Sequence, residues 1–255
     1  MSDQHPGIDP SGSLKNIRAV TLDFWGTLYD NGPDMAPRYV SLLADALGGV
    51  PSGSLRSAFD HAESLAGEVG RMGFRLSLPA QLAVLLDQLQ TSLRPRSRDR
   101  LIWSMENALL DSSPTLVEGG RQVLETLSSE GYALAIISDT GITPGRVIRQ
   151  VMERDDVARF FHHWTFSDEL GVNKHRKQPF LSTCLALGIA PEETLHVGDL
   201  PETDIRVARQ AGLRVALATY ISHRYDGESE ADIVLAKLGD LPHAIAEFRG
   251  SGAAH

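Results

Sequence analysis

The chain has 255 residues, 42% of them hydrophobic, and a formal net charge of −9. That length and apolar share can bury a sizeable core, while the negative balance argues against a nucleic-acid surface, which would need excess Lys and Arg. No apolar run reaches bilayer-spanning length and Cys184 is the only cysteine, so neither a membrane partner nor a disulfide framework or thiolate metal cluster is expected.

Met1 to Lys15 is polar and rich in Gly, Pro and Ser, unlike a secretory signal, so residues 1–16 are read as a flexible tail and the protein as cytoplasmic. From Ile17 to Asp23 the pattern predicts a buried strand: Ala19 to Leu22 are apolar or β-branched, they run into Asp23, and Gly26-Thr27 breaks the run. From about Asp34 to Asp111 the period becomes helical. Leu55, Ala58, Ala62, Leu65 and Val69 recur at three- and four-residue intervals, as do Leu82, Leu85, Leu86 and Leu89, and Pro79 suits the first turn of a helix. About four helices and no strand are expected there.

Beyond Pro114 helix and strand alternate. Helices are expected over 118–129, 144–153, 177–187, 202–211 and 241–248, and strands over 133–137, 164–166, 194–197, 213–218 and 232–235, the last at an edge. Single helices between strands imply right-handed crossovers and a parallel sheet covered on both faces. The predicted fold is α/β: a doubly wound, Rossmann-like core over 17–33 and 114–249, an all-helical cap inserted over 34–113, and a second tail over 250–255. Gly32, Pro33 and the turn from Ser112 to Pro114 are the expected hinges.

Polar residues close four of the core segments. Asp23 ends the first strand and Ser138, followed by Asp139, ends the second. Lys174 follows the third, and the strand ending at Val197 leads into Gly198-Asp199 with Asp204 five residues on. Gathered at one sheet edge, they would supply a carboxylate nucleophile, a hydroxyl, an ammonium and an acidic pair able to hold a hard divalent cation such as Mg²⁺. These are the parts of a phosphoryl-transfer site, where catalysis is positioning plus neutralisation of oxygen charge.

In these four stretches the sequence resembles the haloacid dehalogenase-like superfamily, most of whose members are Mg²⁺-dependent phosphatases working through an aspartyl-phosphate. The matching stretches are Asp23-Phe24-Trp25-Gly26-Thr27-Leu28, Ile136-Ile137-Ser138-Asp139, Ser167 to Lys174, and Val197-Gly198-Asp199 with Asp204. The resemblance implies hydrolysis of a small-molecule phosphate monoester. Asp23 would be the nucleophile, Thr27, Ser138 and Asp139 would contact substrate, and Lys174 would bridge the nucleophile and the phosphate. Asp23, Asp199, Asp204 and the backbone carbonyl of Trp25 would hold Mg²⁺. The helical insertion matches the family's small cap, which closes over the site and selects substrates.

One position departs from the pattern. The family's phosphatases carry a second Asp two residues after the nucleophile as general acid and base, a role worth about 10² to 10⁴-fold in rate; here that residue is Trp25. Three readings follow: a slow or substrate-selective phosphatase using an easily expelled leaving group or another proton carrier such as His175, Asp30 or a cap residue, a 2-haloacid dehalogenase, or a weak relative retained for binding a ligand or partner. A dehalogenase would leave the acidic pair unexplained. A phosphonate hydrolase would need a cap lysine, and there is none between Tyr29 and Arg121. The arginine run from Arg94 to Arg100 is expected to be a solvated start of a cap helix, Phe59, Phe74 and Trp103 to be cap core, and His162-His163 to be structural or surface residues.

Overall fold

The computed structural model describes residues 17–112, 114–222 and 229–250. The expected tails lie outside these residues, except that Gly250 closes the last helix. Six strands, β1 (Ala19–Leu22), β2 (Ala133–Ser138), β3 (His163–Phe166), β4 (Thr194–Gly198), β5 (Arg214–Ala218) and β6 (Ile233–Leu235), form one sheet in the order β3-β2-β1-β4-β5-β6. Every neighbouring pair is parallel. The chain winds outward from β1 to β3, then restarts on the other side of β1 with β4. The C-terminal ends of β1 and β4 therefore flank the switch point of the sheet, where open α/β folds leave a crevice.

Side chains alternate between two buried faces. Val20, Leu22, Leu134, Ile136, Leu195 and Val197 pack on one side, against Leu124 and Leu127 of α5 (Gly120–Ser129), Ile148 and Val151 of α6 (Gly145–Arg154), and Leu241 and Ile245 of α10 (Leu241–Gly250). On the other side Ile137, Val215 and Leu217 pack against Phe180 and Cys184 of α8 (Gln178–Leu187) and Val207 and Ala208 of α9 (Arg206–Gln210). Each large apolar side chain buried this way contributes roughly 1.5–3 kcal/mol, which is why strands this short hold.

The insertion after β1 is helical throughout: α1 (Ala36–Leu47), α2 (Ser52–Arg71), α3 (Leu78–Gln88) and α4 (Pro95–Asn107). Leu43, Leu55, Phe59, Leu82, Leu85 and Met105 form its own core, which Ile142 of the sheet domain also joins. Two of the three aromatics expected in this core are outside it. Leu101 and Met105 mark the buried side of α4, and Trp103, two residues past Leu101, points off that side and is 62% exposed. Phe74 sits in the turn between α2 and α3, with the Arg176 guanidinium 4.6 Å from its ring centre. The arginine run behaves as expected, opening α4 with Arg98 bonded to Asp99.

The cap meets the core at several places, among them Arg146 of α6, which donates to Glu106 and Asn107 of α4 at 2.6 and 3.0 Å. Asp30 accepts hydrogen bonds from the Gly32 and Thr115 amides, at 2.9 and 3.0 Å, and so ties together the two segments that connect cap and core. Arg75 donates to the carbonyls of Thr140 and Gly141. The turn at Gly70 to Phe74 docks on the loop at Val172 to Arg176: Asn173 Nδ2 donates to Gly70 O at 2.9 Å and Arg176 Nη2 to Met72 O at 2.8 Å.

One expected helix is divided. Instead of a continuous helix over 202–211, a π-turn over Pro201–Ile205 precedes α9. The wider turn accompanies the burial of Asp204, whose carboxylate accepts the Leu200 amide at 3.0 Å and packs against Gly198 so closely that a Cβ there would overlap it. Gly198→Ala should therefore destabilise the protein by about 1–3 kcal/mol. Gly239→Ala, where an added Cβ meets nothing within 4 Å, should cost far less. Denaturant unfolding of the two variants side by side checks this.

Candidate active site

The parallel register brings the four strand-end groups together. Asp23 follows β1 and its amide donates to Val197 O of β4 at 2.9 Å, which holds it at the switch point. Lys174 reaches this carboxylate from the loop after α7 (Ser167–Leu170), a short helix whose end is turned by Gly171 at φ 82. Its ammonium stands 2.6 Å from Asp23 Oδ2 and 2.6 Å from Asp204 Oδ1, and its side chain is 2% exposed. One ligand oxygen each from Asp23, Asp199 and Asp204 can be chosen so that all three lie within 4.8 Å of one another.

The remaining expected residues surround this cluster. Ser138 is buried and its hydroxyl is within hydrogen-bonding reach of Asp23. Thr27 is fully buried, and its hydroxyl has no hydrogen-bond partner among the described residues. Asp139 accepts the Lys174 backbone amide at 3.0 Å, so it shapes the loop that delivers the ammonium. Gly26, at φ 67, lies where a Cβ would be 2.5 Å from Asp199 Oδ2. Only glycine allows both that backbone conformation and that approach.

Burial and like charge set the electrostatics. Asp199 is pushed up to about 7 by burial, then by Asp23 and Asp204. Burial likewise pushes Asp139 up to about 6, against the pull of Lys174. Asp23 also rises, through burial and Asp204, although Lys174 opposes it. Asp204 goes the other way: burial disfavours its charge, but Lys174 and His196 outweigh that and hold it below the usual carboxylate range. Burial should lower Lys174, yet Asp204, Asp23 and Asp139 together hold it above its ordinary value. Four carboxyl groups, Asp23, Asp139, Asp199 and Asp204, thus share one buried ammonium, and the oxygen-only cluster suits a hard divalent cation.

Three supporting residues were not singled out from the sequence. His196 Nε2 lies 3.1 Å from Asp204 Oδ1, while its Nδ1 lies 2.9 Å from Thr21 Oγ1. Thr21 and His196 are register partners on β1 and β4, and their one sequence signal is a pair of polar residues inside otherwise apolar strands. Tyr220, beyond β5, donates to Thr27 O at 2.8 Å and steadies the turn after Asp23; nothing local in the sequence marks it.

A cavity of about 320 Å³ opens between cap and core beside this cluster, lined among others by Trp25, Tyr39, Glu63, Asp139 and Thr143. His175 and Asp30, the proton carriers considered from sequence, are not among its lining residues; His175 is exposed and Asp30 is bonded to the connecting segments.

Residues 17–212 match the family described as haloacid dehalogenase-like hydrolase. A glyceraldehyde 3-phosphate phosphatase of Pyrococcus furiosus is 32% identical over 143 residues, 53% of this chain and 56% of that protein, so the match spans little more than half of the relative. A phosphoglycolate phosphatase of Salmonella choleraesuis is 24% identical over 253 residues, 91% of this chain and 94% of the relative. Among solved structures, a 2-haloacid dehalogenase from Pseudomonas syringae pv. Tomato shares the fold with a TM-score of 0.64 at 21% identity, covering 91% of this chain and 99% of that one. With its sheet, its helical cap and its strand-end carboxylates, the chain belongs to the haloacid dehalogenase-like hydrolase family.

Proposed function

We propose that this hydrolase is a Mg²⁺-dependent phosphatase that cleaves a small-molecule phosphate monoester through an aspartyl-phosphate on Asp23. The observation that carries this reading is the buried set of Asp23, Asp199 and Asp204 sharing Lys174. Asp23, Asp199 and Asp204, with the Trp25 carbonyl, would hold the ion, which when bound offsets the charge of the phosphoryl oxygens. The Asp23 carboxylate forms a bond to phosphorus as the bond from phosphorus to the alcohol oxygen breaks. The departing alkoxide takes a proton from water. A second water then attacks phosphorus, releases inorganic phosphate and restores Asp23. Lys174 favours the ionised nucleophile against the cost of its burial, and the unpartnered Thr27 hydroxyl, with Ser138, supplies contacts for the phosphoryl group, while Asp139 holds the loop that delivers Lys174.

The cap over 34–113 is the proposed substrate-selecting unit, acting through the cavity it shares with the core. The dehalogenase reading has less support. It leaves the three-carboxylate set without a role, and the carboxylate of a 2-haloacid would meet Glu63 and Asp139 in a cavity where no described lining residue is Lys or Arg. A lone, buried Cys184 fits the proposed cytoplasmic setting.

An aryl phosphate, whose leaving group needs little protonation, should be hydrolysed in the presence of Mg²⁺ and spared when the ion is chelated. Asp23→Asn should abolish the remaining rate by at least about 10³-fold. Absence of Mg²⁺-dependent release would overturn the phosphatase reading in favour of a binding role, and chloride release from 2-haloacids under chelation would favour the dehalogenase.

Metal should also act on stability. A carboxyl raised in the folded state binds its proton more tightly there than in the unfolded chain, so its contribution falls as pH rises from about 4 to about 7 for Asp199. The metal-free protein should lose Tm across that window. Asp199→Asn should flatten the loss, and Mg²⁺ should restore Tm near neutral pH for the unmodified protein but much less for the variant. Calorimetry over a pH series measures all three.

A further inference from the structure

The cavity beside the proposed reaction site has a chemical character that bears on what fills it. Its aromatic residues are Trp25, two positions after Asp23, and Tyr39 of α1, whose hydroxyl is hydrogen-bonded by Thr143. Its acidic residues are Asp139 and Glu63. Asp139 is engaged by the Lys174 amide, whereas Glu63, on α2, has no ion pair or hydrogen bond among the described residues. The nearby Arg56 offsets Glu63 only in part, because its guanidinium is bonded to Asp60 at 2.7 and 2.9 Å. Arg75 reaches the rim but donates to the Thr140 and Gly141 carbonyls.

Among the described residues, then, the cavity offers two carboxylates, two aromatic rings and no cation. An anionic organic group would meet two carboxylates there with no Lys or Arg among the described lining residues to offset them. A cation would find Glu63 and the faces on which cation–π contacts form.

We propose that the preferred substrate is the phosphate monoester of an amino alcohol, its ammonium group seated by Glu63 with Trp25 and Tyr39. This rests on the phosphatase reading above and names its substrate class. A second observation converges on it. Trp25 carries no acid able to protonate a departing alkoxide, so the leaving group must be stabilised in some other way. An ammonium two carbons from that oxygen supplies the stabilisation by its field and inductive pull. Burial, together with the like charges of Asp60 and Asp34, holds the Glu63 carboxyl above its usual range, and a bound cation relieves that repulsion. The cavity is also large enough to accept alkyl groups on the amine.

Three esters separate the possibilities. O-phosphorylethanolamine carries the ammonium, propyl phosphate replaces it with a methyl group of similar size, and 2-phosphoglycolate carries a carboxylate. With the full chain and Mg²⁺, kcat/KM should fall in that order, by about tenfold or more between the first two. Part of that gap is intrinsic reactivity, which is the same for any variant, so the change in ratio reads the side chain alone. Glu63→Gln should shrink the ammonium-to-methyl ratio about tenfold, and Glu63→Lys should invert the preference toward 2-phosphoglycolate.

A ratio measured on one preparation is independent of how much of it folds. Preference for 2-phosphoglycolate in the unaltered protein, or a ratio that Glu63→Gln leaves unmoved, overturns the proposal even when an aryl phosphate is turned over. If the aryl ester is not hydrolysed, the phosphatase reading falls separately. Calorimetric binding of the ammonium and methyl esters then decides the matter, equal affinities counting against the proposed seat.

Discussion

The site depends on one buried ammonium. Lys174 Nζ sits 2.6 Å from oxygens of both Asp23 and Asp204, in a place where burial disfavours the charge of each carboxylate. Removing a charge from water costs several kcal/mol unless partners replace its hydration, and breaking such a pair by deleting one member typically costs about 3–5 kcal/mol. The arrangement is lopsided by construction. His196 adds a contact to Asp204 alone, so Asp204 stays ionised easily while Asp23 and Asp199 are pushed upward. A fixed excess of negative charge around a small oxygen-lined space is the physical reason to expect a cation there.

The fold serves this arrangement through register. Because β1 lies between β2 and β4, and all three run the same way, their final residues end side by side and project Asp23, Ser138 and Asp199 toward one crevice. Glycines then permit the close approaches: Gly26 against Asp199 and Gly198 against Asp204. The cap takes no part in the carboxylate cluster. It contributes Tyr39 and Glu63 to the adjoining cavity, so the groups that would react and those that would choose come from separately packed parts of the chain.

Much of this was legible in sequence because its signals are local. An apolar run ending in Asp23, another ending in Ser138, and Gly198-Asp199 after a third each announce a strand end without any knowledge of neighbours. The helical period of the insertion was equally plain. What escaped depends on partners far along the chain. Thr21 and His196 are 175 residues apart and meaningful only as a register pair. Tyr220 acts on Thr27 across 193 residues. The π-turn before α9 accompanies the burial of Asp204, which no local helix signal marks, and Trp103 read as core because hydrophobicity alone does not say which side of α4 is covered. Glu63 and Tyr39 could be counted among cap residues, but only the packing of α1 and α2 over the core turns them toward the same space as Trp25.

The docking of the Gly70–Phe74 turn on the Val172–Arg176 loop has a mechanical consequence. Lys174 stands within the segment that the cap grips through Asn173 and Arg176. Any outward swing of the cap would have to release those bonds or drag the segment that carries the ammonium with it. The placement of the proposed catalytic lysine is thus coupled, through its immediate neighbours in the chain, to the docking of the helical insertion.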